Sequence, residues 1–337
     1  MRVAVIGVGH LGRAHARNWN EIPEADLVGV YDSDADRCQQ IATEFNCRPF
    51  RNPEEIVDQV DAVSIVTPTP LHRVTADPFL RAGKAVLVEK PLAHTIEDAL
   101  AICELAESNG AILQVGHIER FNPVVRSALR EIDDPVFIEC DRIHPFSLRS
   151  TETSVVHDLM IHDIDIVLHL LSSELTQVEA HGTPVLSPTE DLAHARLSFA
   201  SGATAFVKTS RVAFSRSRKV RIFAPRHYLS LDLVERTGFQ VKLDSEYDPA
   251  DFLDDHGRLM APEGAEDFLG KILNQTPLEI SGSEPLRAEL DAFLASARGE
   301  RPPAVSGQQG VRAIKAAEMV LDSLRSRQGR LSGPSHA

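Results

Sequence analysis

Three residues in this chain have the types and settings that proton and hydride chemistry on an alcohol requires: Lys90, Asp158 and His162. Lys90 stands in Glu89-Lys90-Pro91, directly after the apolar run Ala85–Val88, which reads as a buried strand. In open α/β sheets ligands bind beyond the carboxyl ends of the strands, so a lysine at that point faces a ligand crevice. The competing reading is an exposed loop lysine. Pro91 makes a cis bond conceivable there, although an X-Pro bond is usually trans without further cause.

Asp158 and His162 belong to the apolar segment Val155–His169. At roughly 100° per residue, an α-helix here brings Asp158, His162, Asp165 and His169 within about 60° of one another. The flanks of that stripe are apolar, so the helix is expected to be largely buried, and buried ionisable groups need partners or a cleft. Oxidising an alcohol by hydride transfer requires that the hydroxyl proton be taken up. An imidazole titrating near neutrality suits that task, which makes His162 the candidate base. Lys90 would donate a hydrogen bond to the reacting oxygen, and Asp158 would hold a substrate hydroxyl or orient the imidazole. The same spacings suit a metal, but hydride transfer accounts better for the motif at the start of the chain, and no metal is expected. For Asp165 and His169 taken singly, a salt-bridged place in the core is the better reading.

That opening motif is Gly7-Val8-Gly9-His10-Leu11-Gly12, which follows the apolar run Val3–Ile6. In a strand-turn-helix setting Gly7 permits the tight turn, Gly9 lets a phosphate approach the backbone and Gly12 lets helix and strand pack closely. The free N–H groups of the helix start, through His10 and Leu11, are a pyrophosphate cradle. Asp32 follows the next apolar run, Leu27–Tyr31, where a carboxylate accepts hydrogen bonds from adenosine ribose hydroxyls and repels a 2′-phosphate. NAD is therefore expected, with NADP left open by Arg37 nearby. Thr67-Pro68-Thr69-Pro70 after the fourth strand forms a further cofactor wall, His72 serves there either as a contact or as a cap, and Glu89 and Lys90 at the end of the fifth strand are expected cofactor contacts as well.

The elements that must hold these residues follow from pattern. Up to about residue 116, β-branched runs alternate with helical stretches, the mark of βαβ units and a parallel sheet. Strands are expected at Val3–Ile6, Leu27–Tyr31, Arg48–Phe50, Ala62–Val66, Ala85–Val88 and Ile112–Val115. Beyond Gly116 come a polar helix at Asn122–Ile132, a strand at Val136–Ile143 and a long helix from Ser154 to Leu171. Strands at Leu192–Phe199, Ala203–Val212, Lys219–Ala224, Tyr228–Asp232 and Phe239–Leu243 then follow with no helix between them, which implies a mostly antiparallel sheet. Helices are expected again at Leu286–Ala297 and Gly310–Arg325. The fold class is α/β: a Rossmann domain over 1–118, a substrate-binding α/β domain with an open antiparallel sheet over 119–306, a C-terminal helix over 307–328 packing back on the first domain, and a flexible tail over 329–337.

Composition narrows the function. The 337 residues carry 35 basic and 49 acidic side chains, a net charge of −14, which disfavours nucleic-acid binding. No apolar run approaches the ~18 residues of a membrane span, and the apolar stretch after Met1 is too short for a secretory signal. Cys38, Cys47, Cys103 and Cys140 are irregularly spaced, as befits reduced thiols. A cytoplasmic protein is expected. One region departs from the acidic average: between Asp191 and Asp232 there is no acidic residue, while Arg196, Lys208, Arg211, Arg216, Arg218, Lys219, Arg221 and Arg226 all fall inside. It reads first as a solvated sheet face or a subunit contact, and second as a basic wall for an anionic substrate.

Taken in order, the glycine fingerprint, Thr67-Pro68 with His72, Glu89-Lys90-Pro91 and Asp158-x-x-x-His162 resemble the family of glucose-fructose oxidoreductases and inositol dehydrogenases. The likeness runs over nearly the whole chain. It implies a Rossmann domain joined to an α/β domain whose open sheet often forms the subunit interface, hence a homodimer or homotetramer, and it implies Lys90, Asp158 and His162 as the catalytic trio. The stretches 115–123 and 158–165 resemble more narrowly the UDP-N-acetylglucosamine 3-dehydrogenase branch, which implies oxidation of a sugar C3 hydroxyl. Arg120, Arg142, Arg149, Asp165 and Arg211 are then the candidate substrate contacts. Fold alone does not fix substrate, and sugars, nucleotide sugars and cyclitols all suit such a site. Two other classes are open at this stage: a sensor that binds NAD without turnover, which would need none of the trio, and an enzyme that recycles a tightly held NAD(P) in non-dehydrogenase chemistry.

Overall fold

The structure, a computed structural model, describes residues 1–147, 153–243 and 273–331. By its contacts the chain divides into two units. The first is Met1–Phe121 with Val156–Leu168 and Gly282–Asp322; the second is Asn122–Val155 with His169–Ser281 and Ser323–Ala337. This differs from a boundary at residue 118 followed by one contiguous domain, because the helix bearing His162 and the segment from Gly282 count with the first unit.

The first unit holds a parallel sheet of six strands: β1 (Arg2–Ile6), β2 (Asp26–Tyr31), β3 (Arg48–Pro49), β4 (Ala62–Ile65), β5 (Ala85–Glu89) and β6 (Leu113–Gly116), in the order β3-β2-β1-β4-β5-β6. Apolar runs with no alternation suit strands buried on both faces, and β1, β4 and β5 are buried at almost every position. Helices α1 (His10–Glu21), α2 (Ala35–Glu44), α3 (Glu54–Val57), α4 (His72–Arg81) and α5 (Ile96–Ser108) form the crossovers. Their starts are written locally: Asp34 caps α2 by accepting from the Arg37 N–H, and Thr95 caps α5 by accepting from Asp98, with Glu97 and Asp98 complementing the helix dipole.

Helix α8 (Pro285–Ala297) completes this core. Leu286, Leu290 and Phe293 pack with Trp19 and Ala16 of α1 and with Val3 and Val5 of β1. The Trp19 indole meets Phe293 edge-on at 6.2 Å, and its N–H donates to Ser64 Oγ at 2.9 Å, so the one tryptophan is fully buried without an unmet donor. Val156–Met160 forms a π-helical turn that leads into α7 (Ile161–Leu170). The expected continuous α-helix from Ser154 is thus corrected: the first turn is wider than an α-turn, and it carries Asp158.

The second unit holds α6 (Pro123–Glu131) and eight strands: β7 (Phe137–Ile143), β8 (Leu175–Thr183), β9 (Leu192–Phe199), β10 (Thr204–Ser210), β11 (Ser217–Ala224), β12 (His227–Asp232), β13 (Thr237–Leu243) and β14 (Leu273–Pro277). Their order is β14-β13-β12-β11-β7-β10-β9-β8, antiparallel throughout except for β10 beside β7. The mostly antiparallel sheet was legible, but its two edge strands, β8 and β14, were not. An edge strand can be largely solvated, and the outward residues of β8 give no alternating apolar signal. The last helix, α9, runs from Gly307 to Leu331, so the expected tail begins in helix at Gly329–Leu331, and residues 332–337 lie outside the described residues. No helix of the described residues is long and apolar enough to cross a membrane.

Candidate functional site

The cofactor cleft is built by the turn from β1 to α1. Gly7 has φ +87°, and a Cβ there would lie 2.6 Å from the Val66 carbonyl oxygen, so only glycine fits. A Cβ on Gly12 would stand 1.8 Å from the Gly7 carbonyl oxygen, which is the close helix-strand approach the fingerprint requires. A Cβ on Gly9 meets nothing within 4 Å, leaving an open cradle. Beside it α1 starts with no side-chain cap and no acidic residue in its first turn, so its N–H groups and dipole are available to an anion. His10 and Leu11 occupy that first turn and are exposed.

The cleft measures about 470 Å³ and is lined by Gly7, Gly9, Asp32, Arg37, Thr67 and Pro68 among others. One Asp32 carboxylate oxygen accepts the Val8 N–H at 2.8 Å, and the other takes the Asp34 N–H at 2.9 Å and Arg37 Nη1 at 3.2 Å. This pins the carboxylate at the end of β2 and ties Arg37 to Asp32 and Asp34 together. The buried hydroxyl of Thr67 has no hydrogen-bond partner among the described residues, an orphan donor in the cleft wall. A pyrophosphate at the helix start, a ribose beside Asp32 and a polar group at Thr67 would fill these unmet places, so the residues fit a dinucleotide.

His72 is buried between two loops. Its Nε2 lies 2.9 Å from the Thr67 carbonyl oxygen and its Nδ1 3.0 Å from that of Pro91. Burial lowers its affinity for a second proton, and a neutral ring donates to one of the two at a time. The ring ties the loop after β4 to the loop after β5. Glu89 likewise turns inward: it is buried, with Oε1 3.1 Å from His15 Nε2 and Oε2 accepting the Lys90 N–H at 3.2 Å.

Lys90 reaches the helical turn predicted to face it. Its ammonium donates to the main-chain carbonyl of Asp158 at 2.7 Å and lies 3.7 Å from the Asp158 carboxylate. The Lys90–Pro91 bond is cis. His162 follows four residues after Asp158, half-buried in the first turn of α7. The turn that carries Asp158 is π-helical, so the α-helical wheel applies as drawn only to His162, Asp165 and His169 in α7. Asp165 is 1% exposed and paired with Arg120, whose Nε and Nη2 donate at 2.7 and 2.6 Å. His117 Nδ1 stands 3.9 Å from the same carboxylate, and burial holds this imidazole neutral against that pull. His157 meets Glu318 at 3.0 Å.

The candidate substrate contacts are dispersed. Arg120 and Asp165 close on each other inside the first unit. In the second, Arg142 is buried in β7. Arg211 donates to Asp191 at 2.7 Å, to the Thr153 carbonyl and to Ser187 and Thr189, the geometry of a brace for the loop between β8 and β9. Burial would raise the Asp191 carboxyl, but Arg211, Ser187 and the N–H groups of Leu186 and Val185 outweigh it and hold it well below the usual range. Arg149 lies outside the described residues.

The basic run is not an unopposed wall. On the sheet Arg196 lies 4.0 Å from Glu179, Lys208 3.5 Å from Asp141 and Arg221 3.1 Å from Glu139. The acids come from β7 and β8, neighbours in the sheet that lie outside the run in sequence. His15, His117, Glu289 and the His157–Glu318 pair were not singled out from sequence. The one local signal was for Glu289, a charged residue within the apolar spacing Leu286, Leu290, Phe293 of α8.

Fold and cleft define a dinucleotide-binding protein of the Rossmann class. Residues 1–117 match the model of an oxidoreductase family with an NAD-binding Rossmann fold, and residues 131–229 match the GFO/IDH/MocA C-terminal domain. The UDP-N-acetylglucosamine 3-dehydrogenase of Acidithiobacillus ferrooxidans is 34% identical over 322 residues, 95% of this chain and 96% of its own. Its solved structure superposes with a TM-score of 0.84 at 32% identity, covering 97% of this chain and 98% of the other. The NAD-dependent scyllo-inositol 2-dehydrogenase of Bacillus subtilis is 35% identical over 233 residues, 63% of this chain and 67% of its own. The chain belongs to the GFO/IDH/MocA oxidoreductase family and carries that family's NAD-binding domain.

Proposed function

We propose that this protein oxidises a secondary hydroxyl of a nucleotide sugar, the C3 hydroxyl of UDP-N-acetylglucosamine in the first instance, with Lys90, Asp158 and His162 as the residues that handle the proton. The observation that carries the reading is the Lys90 ammonium 2.7 Å from the Asp158 carbonyl oxygen and 3.7 Å from its carboxylate. It stands in a chain similar over 95% of its length to an enzyme named for that reaction. NAD, when bound, supplies the hydride acceptor. The ammonium at Lys90 donates to the reacting oxygen and disfavours a free alkoxide. Asp158 holds that ammonium in place, and His162 takes up the hydroxyl proton and returns it in the reverse direction.

The exposed sheet face around Phe206, with its ion-paired Glu139, Asp141, Lys208 and Arg221, is the surface through which we propose that copies of the chain associate as a dimer or tetramer. The four free cysteines support a cytoplasmic setting.

The test is NAD reduction with UDP-N-acetylglucosamine, inositols and free hexoses, each run with the wild type and with His162→Ala. The reading expects turnover with the nucleotide sugar and its loss in the variant, with NAD affinity kept. Turnover of only an inositol would move the substrate to the cyclitols. Unchanged turnover in His162→Ala would remove His162 from the chemistry.

A further inference from the structure

Beneath Lys90 the first unit buries three ionisable groups that the proposed chemistry does not use. His15 lies on α1, Glu89 ends β5 and Glu289 lies on α8, and one nitrogen or oxygen of each is within 4.8 Å of the others. His15 and Glu289 are 0% exposed and Glu89 is 6% exposed. His15 Nε2 and Glu89 Oε1 are 3.1 Å apart, which gives Glu89 one partner, and the Lys90 N–H gives it another. Neither oxygen of Glu289 has a hydrogen-bond donor among the described residues, and His15 Nδ1 is also unpartnered.

Two carboxylates this close and this dry cannot both stay ionised, because desolvation and like-charge repulsion act in the same direction. Some positive charge must enter the cluster. A divalent metal is one choice, but a ligating histidine nearly always donates its other ring N–H to an acceptor, and His15 Nδ1 faces none among the described residues. A proton needs no such support. It converts Glu289 from two unmet acceptors into a donor, and Glu89, with an oxygen within 4.8 Å, is an acceptor that one water can bridge.

We propose that Glu289 is a neutral carboxylic acid that shares its proton with Glu89, and that through Glu89 it fixes the main chain of Lys90, making it a positioning residue of the site. Among the described residues the charged groups near it are Glu89 from β5, His15 from α1 and Glu284 at the start of its own helix, and the turn Ile118–Phe121, which packs on the same helix, carries buried Glu119 and Arg120. Burial, then Glu89, then Glu284 all push its carboxyl well above the ordinary range, in keeping with the geometry. The role of Lys90 rests on the function proposed above, whereas the protonation of Glu289 does not.

The experiment compares the full-length wild type with Glu289→Gln and Glu289→Leu. Infrared difference spectra of wild type minus Glu289→Gln are expected to show a protonated-carboxyl C=O band at neutral pH. The sign of the stability effect follows from linkage. A carboxyl whose folded-state affinity for protons exceeds its unfolded one loses stability as pH rises from the unfolded value toward the folded one, by up to tenfold in the folding equilibrium per pH unit. Glu289→Gln should lack that slope and keep kcat within about twofold, since an amide can donate toward Glu89 as the proposed acid does. Glu289→Leu should lower kcat by about tenfold or more with NAD affinity unchanged, the effect of a displaced catalytic group.

A missing C=O band, or the same pH slope in Glu289→Gln, overturns the neutral acid. Loss of a stoichiometric divalent metal in Glu289→Gln, read by elemental analysis, overturns it in favour of a metal site. Glu289→Leu that folds with full kcat overturns the positioning role. If Glu289→Leu does not fold, the Glu289→Gln slope and spectrum still decide the protonation. Should Lys90→Met leave kcat unchanged, the proposed function fails while the spectrum and slope stand.

Discussion

Replacing Asp165 by asparagine keeps the shape of a buried side chain and removes its charge, which isolates what the Arg120–Asp165 pair contributes. The guanidinium faces the carboxylate with two parallel N–H···O contacts, Nε at 2.7 Å and Nη2 at 2.6 Å. Arg120 is 7% exposed and Asp165 1%, so water does not screen the pair. Removing the charge of one partner of a buried pair costs about 3–5 kcal/mol. In a unit of roughly 150–250 residues each kcal/mol moves the midpoint by about 2–4 °C, so Asp165→Asn should melt roughly 6–20 °C lower. The double variant Arg120→Met/Asp165→Leu removes both charges and should recover most of that loss, because a packed apolar pair avoids the desolvation penalty. Calorimetric melts of the wild type, each single variant and the double variant give the coupling directly. A midpoint for Asp165→Asn within about 1 °C of wild type, or a double variant as unstable as the two single losses added, would refute the reasoning. A raised KM for the sugar with no change in melting would return the pair to substrate binding.

Lys90→Met should reduce kcat by about 10²–10³-fold with little change in NAD affinity, the usual cost of one donor to a developing oxyanion, and initial rates at saturating NAD check it. In Asp32→Ala the carboxylate that repels a 2′-phosphate is gone and Arg37 loses one of its two acidic partners. The preference for NAD over NADP should therefore fall by about tenfold or more, read as a ratio of kcat/KM. Asp191 is held below its unfolded value, so its contribution is present above about pH 4 and is lost as pH falls through its folded value. The melting deficit of Asp191→Asn should accordingly be largest near neutrality and shrink in acid; a deficit that is constant down to about pH 3 counts against the Asp191–Arg211 brace.

What sequence could reach was whatever chemistry is local. The glycine turn, Asp32 and the parallel strands are spelled out within about thirty residues, where spacing and period speak for themselves. Lys90 and Asp158 are 68 residues apart, and their meeting was legible only because a strand end and a polar helix both needed a cleft. What the wheel could not supply is the turn type, since the turn that carries Asp158 is π-helical and not α-helical. Missing the edge strand β8 had a consequence for function as well. Glu179 lies on it, opposite Arg196, so without β8 the basic residues of β9 to β11 looked less opposed than they are. Glu289 shows the remaining limit: an acidic residue on an apolar helix face marks itself as odd, but only the fold names the groups it meets.

The anchoring of Lys90 bears on where substrate choice resides. Its backbone N–H goes to Glu89 and its ammonium to a main-chain carbonyl at Asp158, so neither of these two hydrogen bonds touches a sugar. On the function proposed above, a lysine fixed in this way would serve any secondary hydroxyl brought to it, because its anchors do not select among substrates. The Asp158 carboxylate adds charge at 3.7 Å, while the carbonyl that holds the ammonium belongs to the main chain and is present whatever side chain occupies position 158. On that proposal catalytic geometry and specificity are separable: the first would rest on β5 and the π-turn, and the second on residues that touch the rest of the substrate.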